Sequence, residues 1–242
     1  MLFITGDTHG LYDKLKFSDP YFPEKKNLTK NDYVLITGDF GGLWDGGERD
    51  EQTLDFFSQQ PFTTLFVDGN HENFDLLNSY PVEEWNGGKI HRIRDDILHL
   101  MRGQVFTIEG HTYFTFGGGI SVDKYRRTEH INWWREEYAS ESEKQEAIEA
   151  LERVGNRVDF IVTHACPESV KENDLARCIF LVGVKCDTEK FLDKIKERTD
   201  YKAWFCGHYH TDLYFERHKM LFMYQETLNP LELSFVTVEK IL

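Results

Sequence analysis

The chain has 242 residues, 40% of them apolar and 14% aromatic, which suits one α/β core of ordinary domain size. Its formal net charge of −14 disfavours non-specific binding to nucleic acid and to anionic membranes. No apolar run approaches the ~20 residues of a membrane span, and no internal repeat or low-complexity stretch is visible.

The first element starts at once. Leu2-Phe3-Ile4-Thr5 is a short apolar run that stops at Gly6-Asp7. The pattern recurs as Tyr33-Val34-Leu35-Ile36-Thr37 before Gly38-Asp39. A helix is predicted over 48–60, with Leu54 and Phe57 on one side. The third run, Thr63-Thr64-Leu65-Phe66-Val67, ends in Asp68-Gly69-Asn70-His71. These early runs lie about thirty residues apart, roughly one βαβ unit each. Residues 97–120 read as strands without helices, at 97–100, 104–108 and 111–116. The segment 121–139 carries Arg126, Arg127, Trp133 and Trp134, fits no regular element, and reads as a loop excursion near the site.

A helix over 140–154 opens with a capping box, Ser140 and Glu143, and places Ala147, Ile148, Leu151 and Val154 at helical spacing. Asp159-Phe160-Ile161-Val162-Thr163 then runs into His164. A helix over 187–198, capped by Asp187, aligns Phe191, Leu192 and Ile195. Ala203-Trp204-Phe205-Cys206 runs into Gly207-His208. Strand-like runs follow near 213–217, 220–225 and 234–238. Short, nearly continuous apolar runs predict strands buried on both faces. The whole predicts an α/β fold: a double β-sheet sandwich flanked by helices, forming one domain over 1–242.

The four cysteines, Cys166, Cys178, Cys186 and Cys206, form no CxxC pair, and no basic-then-apolar leader precedes the first run. They are expected to be reduced, buried thiols in a cytoplasmic protein.

The runs ending at Thr5, Thr37, Val67, Thr163 and Cys206 each stop at Gly, Asp, Asn or His. Carboxyl ends of strands in α/β sheets converge on one crevice. Asp7, His9, Asp39, Asn70, His164, His208 and His210 are therefore expected in one place. They offer two carboxylates, one amide oxygen and four imidazoles. Such mixed O/N donors suit Mn, Fe, Zn or Co, and the lack of cysteine argues against a structural zinc site. Seven donors exceed the needs of one tetrahedral ion and suit two ions sharing a carboxylate. Alone, a Gly-Asp is a turn and an Asn-His a helix cap. Five such pieces in order, each at a strand end, are not.

The blocks Gly6-Asp7-Thr8-His9-Gly10, Gly38-Asp39, Gly69-Asn70-His71-Glu72, Thr163-His164 and Gly207-His208-Tyr209-His210 resemble those of the calcineurin-like metallophosphoesterases. The resemblance implies an αββα sandwich and one metal site of Asp7, His9, Asp39 and His210. It implies a second site of Asp39, Asn70, His164 and His208, with Asp39 bridging. Two divalent ions are implied, Mn first, with Fe, Zn or Co as alternatives. The implied activity is hydrolysis of a phosphate mono- or diester by a hydroxide held between the metals, with His71 as general acid.

One departure is plain. The protein Ser/Thr phosphatases of this superfamily carry an Asp and an Arg where this chain has Gly42 and Leu43, so the carboxylate partner of His71 is missing there. Gly117 to Asp123, Arg126 and the tryptophan pair are similar to small bacterial and phage-type members. Arg126 or Arg127 is expected to hold a phosphate at the rim, and the tryptophans to stack on a ring. The alternative is that the tryptophans anchor the loop and the arginines pair with Glu129, Glu136 or Glu137. The expected substrate is a phosphorylated small molecule, nucleotide or phosphopeptide, without a membrane or extended nucleic acid as partner. A nuclease or cyclic-nucleotide phosphodiesterase of the same fold is the competing reading, and a non-catalytic protein-binding scaffold the third. Seven intact ligand residues weigh against the scaffold.

Overall fold

The computed structural model describes residues 1–179 and 184–233. Strand β1 (Leu2–Thr5) pairs in parallel with β2 (Tyr33–Ile36), and β2 with β3 (Thr63–Phe66). Spacing predicts a βαβ unit between the first two strands. Instead, Pro20, Pro23 and Gly10 interrupt that stretch, and it forms 3-10 turns at Lys14–Phe17 and Pro23–Asn27. Helix α1 (Glu48–Ser58) links β2 to β3, with Leu54 and Phe57 buried as expected. A short helix, α2 (Phe74–Leu77), follows β3.

Strands β4 (Val82–Trp85), β5 (Gly88–Arg94) and β6 (Ile97–Leu100) form an antiparallel ribbon, and β6 joins β3 in parallel. Among the described residues this gives a seven-stranded sheet ordered β13-β1-β2-β3-β6-β5-β4, where β13 is Thr227–Leu228. The second sheet has the order β11-β12-β10-β9-β8-β7. It contains β7 (Gln104–Ile108), β8 (His111–Phe116), β9 (Phe160–Thr163), β10 (Ala203–Cys206), β11 (Leu213–Phe215) and β12 (Met220–Phe222). Strands β8, β9, β10 and β12 run parallel. The last two strands are shorter than their predicted runs, and the run at 234–238 lies outside the described residues.

Alternation along each strand explains why the runs are apolar throughout. Leu2, Ile4, Leu35, Leu65 and Leu98 face Phe106, Phe160, Val162, Phe205 and Leu221 in one core between the sheets. Their neighbours point outward. Phe3, Val34, Ile36 and Phe66 pack with Leu54 and Phe57 of α1. Ile161, Trp204 and Cys206 pack under α3 (Glu141–Arg153), α4 (Glu168–Asn173) and α5 (Asp187–Arg198). Each fully buried Phe side chain removed from water contributes about 1.5–3 kcal/mol. The result is two sheets face to face with helices outside, the predicted architecture.

Local details adjust three expectations. The capping box of α3 forms, but Val154 lies at its carboxyl end, 38% exposed. The N-cap of α5 is Cys186, and Asp187 sits in the first turn, where its charge favours the helix dipole. Cys178 is exposed, whereas Cys166, Cys186 and Cys206 are buried free thiols. No helix among the described residues is long and apolar enough to cross a membrane.

Candidate metal centre

The site lies where the carboxyl ends of five strands from both sheets meet. Asp7 and His9 follow β1, Asp39 follows β2, and Asn70 and His71 follow β3. His164 follows β9, and His208 and His210 follow β10. Four of these residues, His9, Asp39, His208 and His210, take left-handed backbone angles, with φ of 45°, 47°, 69° and 47°. Non-glycine residues hold such angles only where surrounding contacts over-determine them, and they concentrate at functional sites.

Glycines permit the crowding. A Cβ on Gly69 would sit 2.0 Å from Asp39 Oδ1, and one on Gly207 would sit 2.1 Å from Asp7 Oδ1. The carboxylates pass where any side chain would collide.

Asp39 occupies the centre. Its Oδ2 lies 3.4 Å from His9 Nε2 and its Oδ1 lies 3.5 Å from His164 Nε2. The backbone N–H of His71 donates to Oδ1 at 2.8 Å. Asp7 Oδ2 lies 3.2 Å from His210 Nε2, and the His208 N–H approaches both Asp7 oxygens at 3.1 Å. Asn70 Oδ1 meets His164 Nε2 at 3.0 Å, and His208 Nδ1 lies 3.1 Å from the same nitrogen.

The donor chemistry fits cations. His164 Nδ1 lies 2.9 Å from the carbonyl oxygen of Thr37, so that nitrogen carries the hydrogen. In the neutral ring Nε2 is then a lone pair, facing the oxygens of Asn70 and Asp39. His9 repeats the arrangement: Nδ1 meets Asp13 Oδ2 at 2.9 Å, leaving Nε2 toward Asp39. Ring nitrogens aimed at carboxylate and amide oxygens, with the far ring nitrogens held by acceptors, are what metal-ligating histidines show. One donor atom each from Asp7, His9 and His210 lies within 4.8 Å of the others, and so does one each from Asp7, Asp39 and His164. The two candidate groupings are adjacent and share Asp7.

The charged groups of the site act on one another. Burial pushes the Asp7 carboxyl up, but His164 and His210 outweigh it and hold it low. Asp39 is likewise pulled well below the usual range, because His164 and His71 outweigh its burial. Burial lowers His9, yet Asp39 and Asp13 raise it to about 9. Burial and then His164 push His208 down to about 3.

His71 opens on a cavity of about 360 Å³ that also includes Asp39, Asn70, Arg127, Lys171 and His210 in its wall. Its Nδ1 lies 3.3 Å from Arg127 Nη1. A guanidinium only donates, so Nδ1 accepts and the ring hydrogen is on Nε2. Arg127 is itself gripped: Nε and Nη2 donate to Asp123 Oδ1 and Oδ2 at 2.8 and 3.0 Å, and Nη1 donates to the Asn132 carbonyl. Arg126 is exposed and lies over the Tyr125 ring, 5.2 Å from its centroid, outside the cavity wall. Neither arginine pairs with Glu129, Glu136 or Glu137.

The excursion over 121–139 is pinned at both ends. Trp134 is buried, stands edge-on to Trp44, and donates to Asp75 Oδ2 at 2.7 Å. Glu137, wholly buried, accepts from the Ser121 N–H and hydroxyl. Ser121 Oγ in turn accepts from Asn70 Nδ2 at 3.3 Å, which turns the Asn70 oxygen toward His164. Trp133 stands edge-on to Tyr138.

Sequence reading missed several supports. Asp13 and Lys16 follow the first motif without a pattern that marks them. Lys171, Glu189 and Tyr209 form a chain at the cavity wall: the Lys171 ammonium pairs with Glu189 Oε2, and the Tyr209 hydroxyl donates to Oε1 at 3.0 Å. Only Tyr209, between two histidines, had a neighbour that pointed to the site.

The sequence matches the calcineurin-like phosphoesterase family over residues 2–212, and the chain belongs to that family. It is 25% identical over 187 residues to lariat debranching enzyme A of Xenopus laevis, covering 69% of this chain and 33% of that protein. The chain thus spans about a third of the length of this curated relative. Two solved structures are similar more distantly. A candidate 5′-nucleotidase of Staphylococcus aureus is 15% identical with a TM-score of 0.49, over 94% of this chain and 50% of that one. The phosphopantetheinyl hydrolase of Mycobacterium tuberculosis is 16% identical with a TM-score of 0.46, over 92% and 87%.

Proposed function

We propose that this chain is a dinuclear metal-dependent phosphoesterase. The observation that carries the reading is Asp39, whose two oxygens face His9 on one side and His164 on the other. Asp7, His9, Asp39 and His210 would hold one ion, and Asp39, Asn70, His164 and His208 the other. A pair of divalent ions there would supply Lewis acidity and a water of lowered pKa near neutrality.

The remaining roles belong to the chain. His71 presents an Nε2–H to the leaving oxygen of the substrate. While Arg127 donates to Nδ1 the ring is neutral and works as a hydrogen-bond donor; transfer of a whole proton requires the guanidinium to draw back so that the ring can take a second hydrogen. Arg127, half-buried in the cavity wall, offers a positive charge to an incoming phosphate. Arg126, turned outward, has no such role. The ions expected are Mn first, with Fe, Zn or Co as alternatives.

The substrate reading is a phosphate ester of a small molecule, nucleotide or phosphopeptide. The competing reading is a nuclease of the same fold, acting on a nucleic-acid diester, against which the net charge of −14 weighs. Hydrolysis of p-nitrophenyl phosphate and bis-p-nitrophenyl phosphate, with Mn and with a chelator, tests both. Chelator-sensitive release of p-nitrophenol supports the phosphoesterase, and the faster substrate separates monoester from diester work. No turnover together with no bound metal would overturn the reading in favour of a scaffold.

A further inference from the structure

We infer that Asp13 and Tyr224, neither of them a candidate ligand, are positioning residues that together hold His9 and His210 for the cation those histidines share with Asp7. The inference rests on the dinuclear reading above and concerns what tunes one of its two sites.

His9 and His210 reach the site from opposite ends of the chain and from different sheets. Their rings meet edge to face, 4.9 Å apart at 86°. His210 is the most open of the candidate ligands, with 48% of its side chain exposed, so packing against the core does not fix it. Tyr224 does: its ring lies flat on His210, centroids 4.7 Å apart and planes at 13°. The Tyr224 hydroxyl donates to Asp13 Oδ1 at 3.2 Å, and the other oxygen of Asp13 meets His9 Nδ1 at 2.9 Å. One carboxylate and one phenol thus bind both histidines from outside.

The support is itself braced. The Asp212 carboxylate, two residues beyond His210, accepts backbone N–H groups of Tyr224, Gln225 and Glu226 at 2.8, 3.0 and 3.2 Å. This staples the histidine loop to the segment that carries the tyrosine. The Lys16 ammonium donates to the Tyr224 carbonyl from below. An outer partner of this kind fixes the tautomer and direction of a ligating ring, and its loss costs about 10–100-fold in metal affinity. The other candidate site, built on His164 and His208, draws its support from Thr37 and Ser121 instead.

The test is a Mn titration of the metal-free protein, read by the electron paramagnetic resonance of free Mn and by calorimetry. It compares wild type with Asp13→Asn, Tyr224→Phe and Tyr224→Leu, all mild enough to check for folding by circular dichroism. Asp13→Asn and Tyr224→Leu are expected to weaken one of two binding events about 10–100-fold and to spare the other. Tyr224→Phe, which keeps the stack and loses the hydroxyl, is expected to fall between them and wild type. In a His9→Ala background, Asp13→Asn should change nothing further. Two unaltered binding events in both Asp13→Asn and Tyr224→Leu, or equal weakening of both events, would overturn the positioning role while leaving the dinuclear reading intact. A wild-type protein that binds no Mn would overturn both.

Discussion

The ammonium of Lys16 sits beneath the site and donates to the backbone carbonyl of Asp7 at 2.6 Å. The same group donates to the carbonyls of Gly6 and Tyr224, so one buried lysine, 1% exposed, ties the end of β1 to the chain beyond β12. Burial pushes its pKa down to about 8, against the pull of Asp7, and it is charged at neutral pH. Lys16→Met removes the donor and leaves three carbonyls without it. A loss of at least about 2 kcal/mol is expected from groups left unsatisfied in the interior. Urea unfolding of the metal-free protein measures it, and an unchanged midpoint would show that Lys16 braces nothing.

Gly69 is required by distance. Gly69→Ala would drive a methyl group to 2.0 Å from Asp39 Oδ1, so either the carboxylate or the β3 loop must move. Metal content should fall, while the sheets, formed elsewhere, persist in far-ultraviolet circular dichroism. A Gly69→Ala protein that retained full metal content would contradict the geometry described.

His91 supplies a pH dependence remote from the metals. It is buried, pairs with His99 at 3.1 Å, and sits beside the Asp68–Arg102 ion pair. Burial and then His99 push its pKa down to about 4, against 6.5 for a free imidazole. Between those values the unfolded chain takes up a proton that the folded one refuses. Stability is therefore full above about pH 6.5, falls as the pH drops, and levels off below about pH 4. His91→Gln should flatten that segment of the curve in denaturant midpoints measured from pH 7 to pH 4. The same slope in the variant would assign it to other groups.

His71→Ala separates binding from turnover. The side chain is not a candidate ligand, so metal content should stay at the wild-type level. Loss of a donor aimed at developing charge should reduce kcat about 10²–10³-fold. Undiminished kcat on p-nitrophenyl phosphate and on a poorer leaving group alike would remove His71 from the reaction.

The strands and the site's residue set were legible because the same physics wrote both. Strands buried on two faces leave unbroken apolar runs, and a crevice at their carboxyl ends makes each run stop at Asp, Asn or His. The capping box at Ser140 and Glu143 was legible for a local reason. The ribbon of β4 and β5 was not. Val82-Glu83-Glu84-Trp85 is a half-exposed edge strand whose acidic residues hide the alternation. The Lys16, Asp13 and Tyr224 supports were illegible as well, since each acts through a contact across the fold or a turn that no spacing encodes. Arg127 beside His71 was foreseen as a rim residue but not as the partner of Nδ1, a relation that needs the path of the 121–139 excursion.

The most direct test of the dinuclear reading is the metal content of Asp39→Asn beside wild type, measured by inductively coupled plasma mass spectrometry after Mn loading and gel filtration. Wild type should carry about two equivalents, and the variant, which keeps one oxygen but loses the negative charge shared by both sites, should fall toward none. A wild-type protein with two equivalents and an Asp39→Asn protein that keeps both would contradict the bridging role of Asp39 on which the account stands.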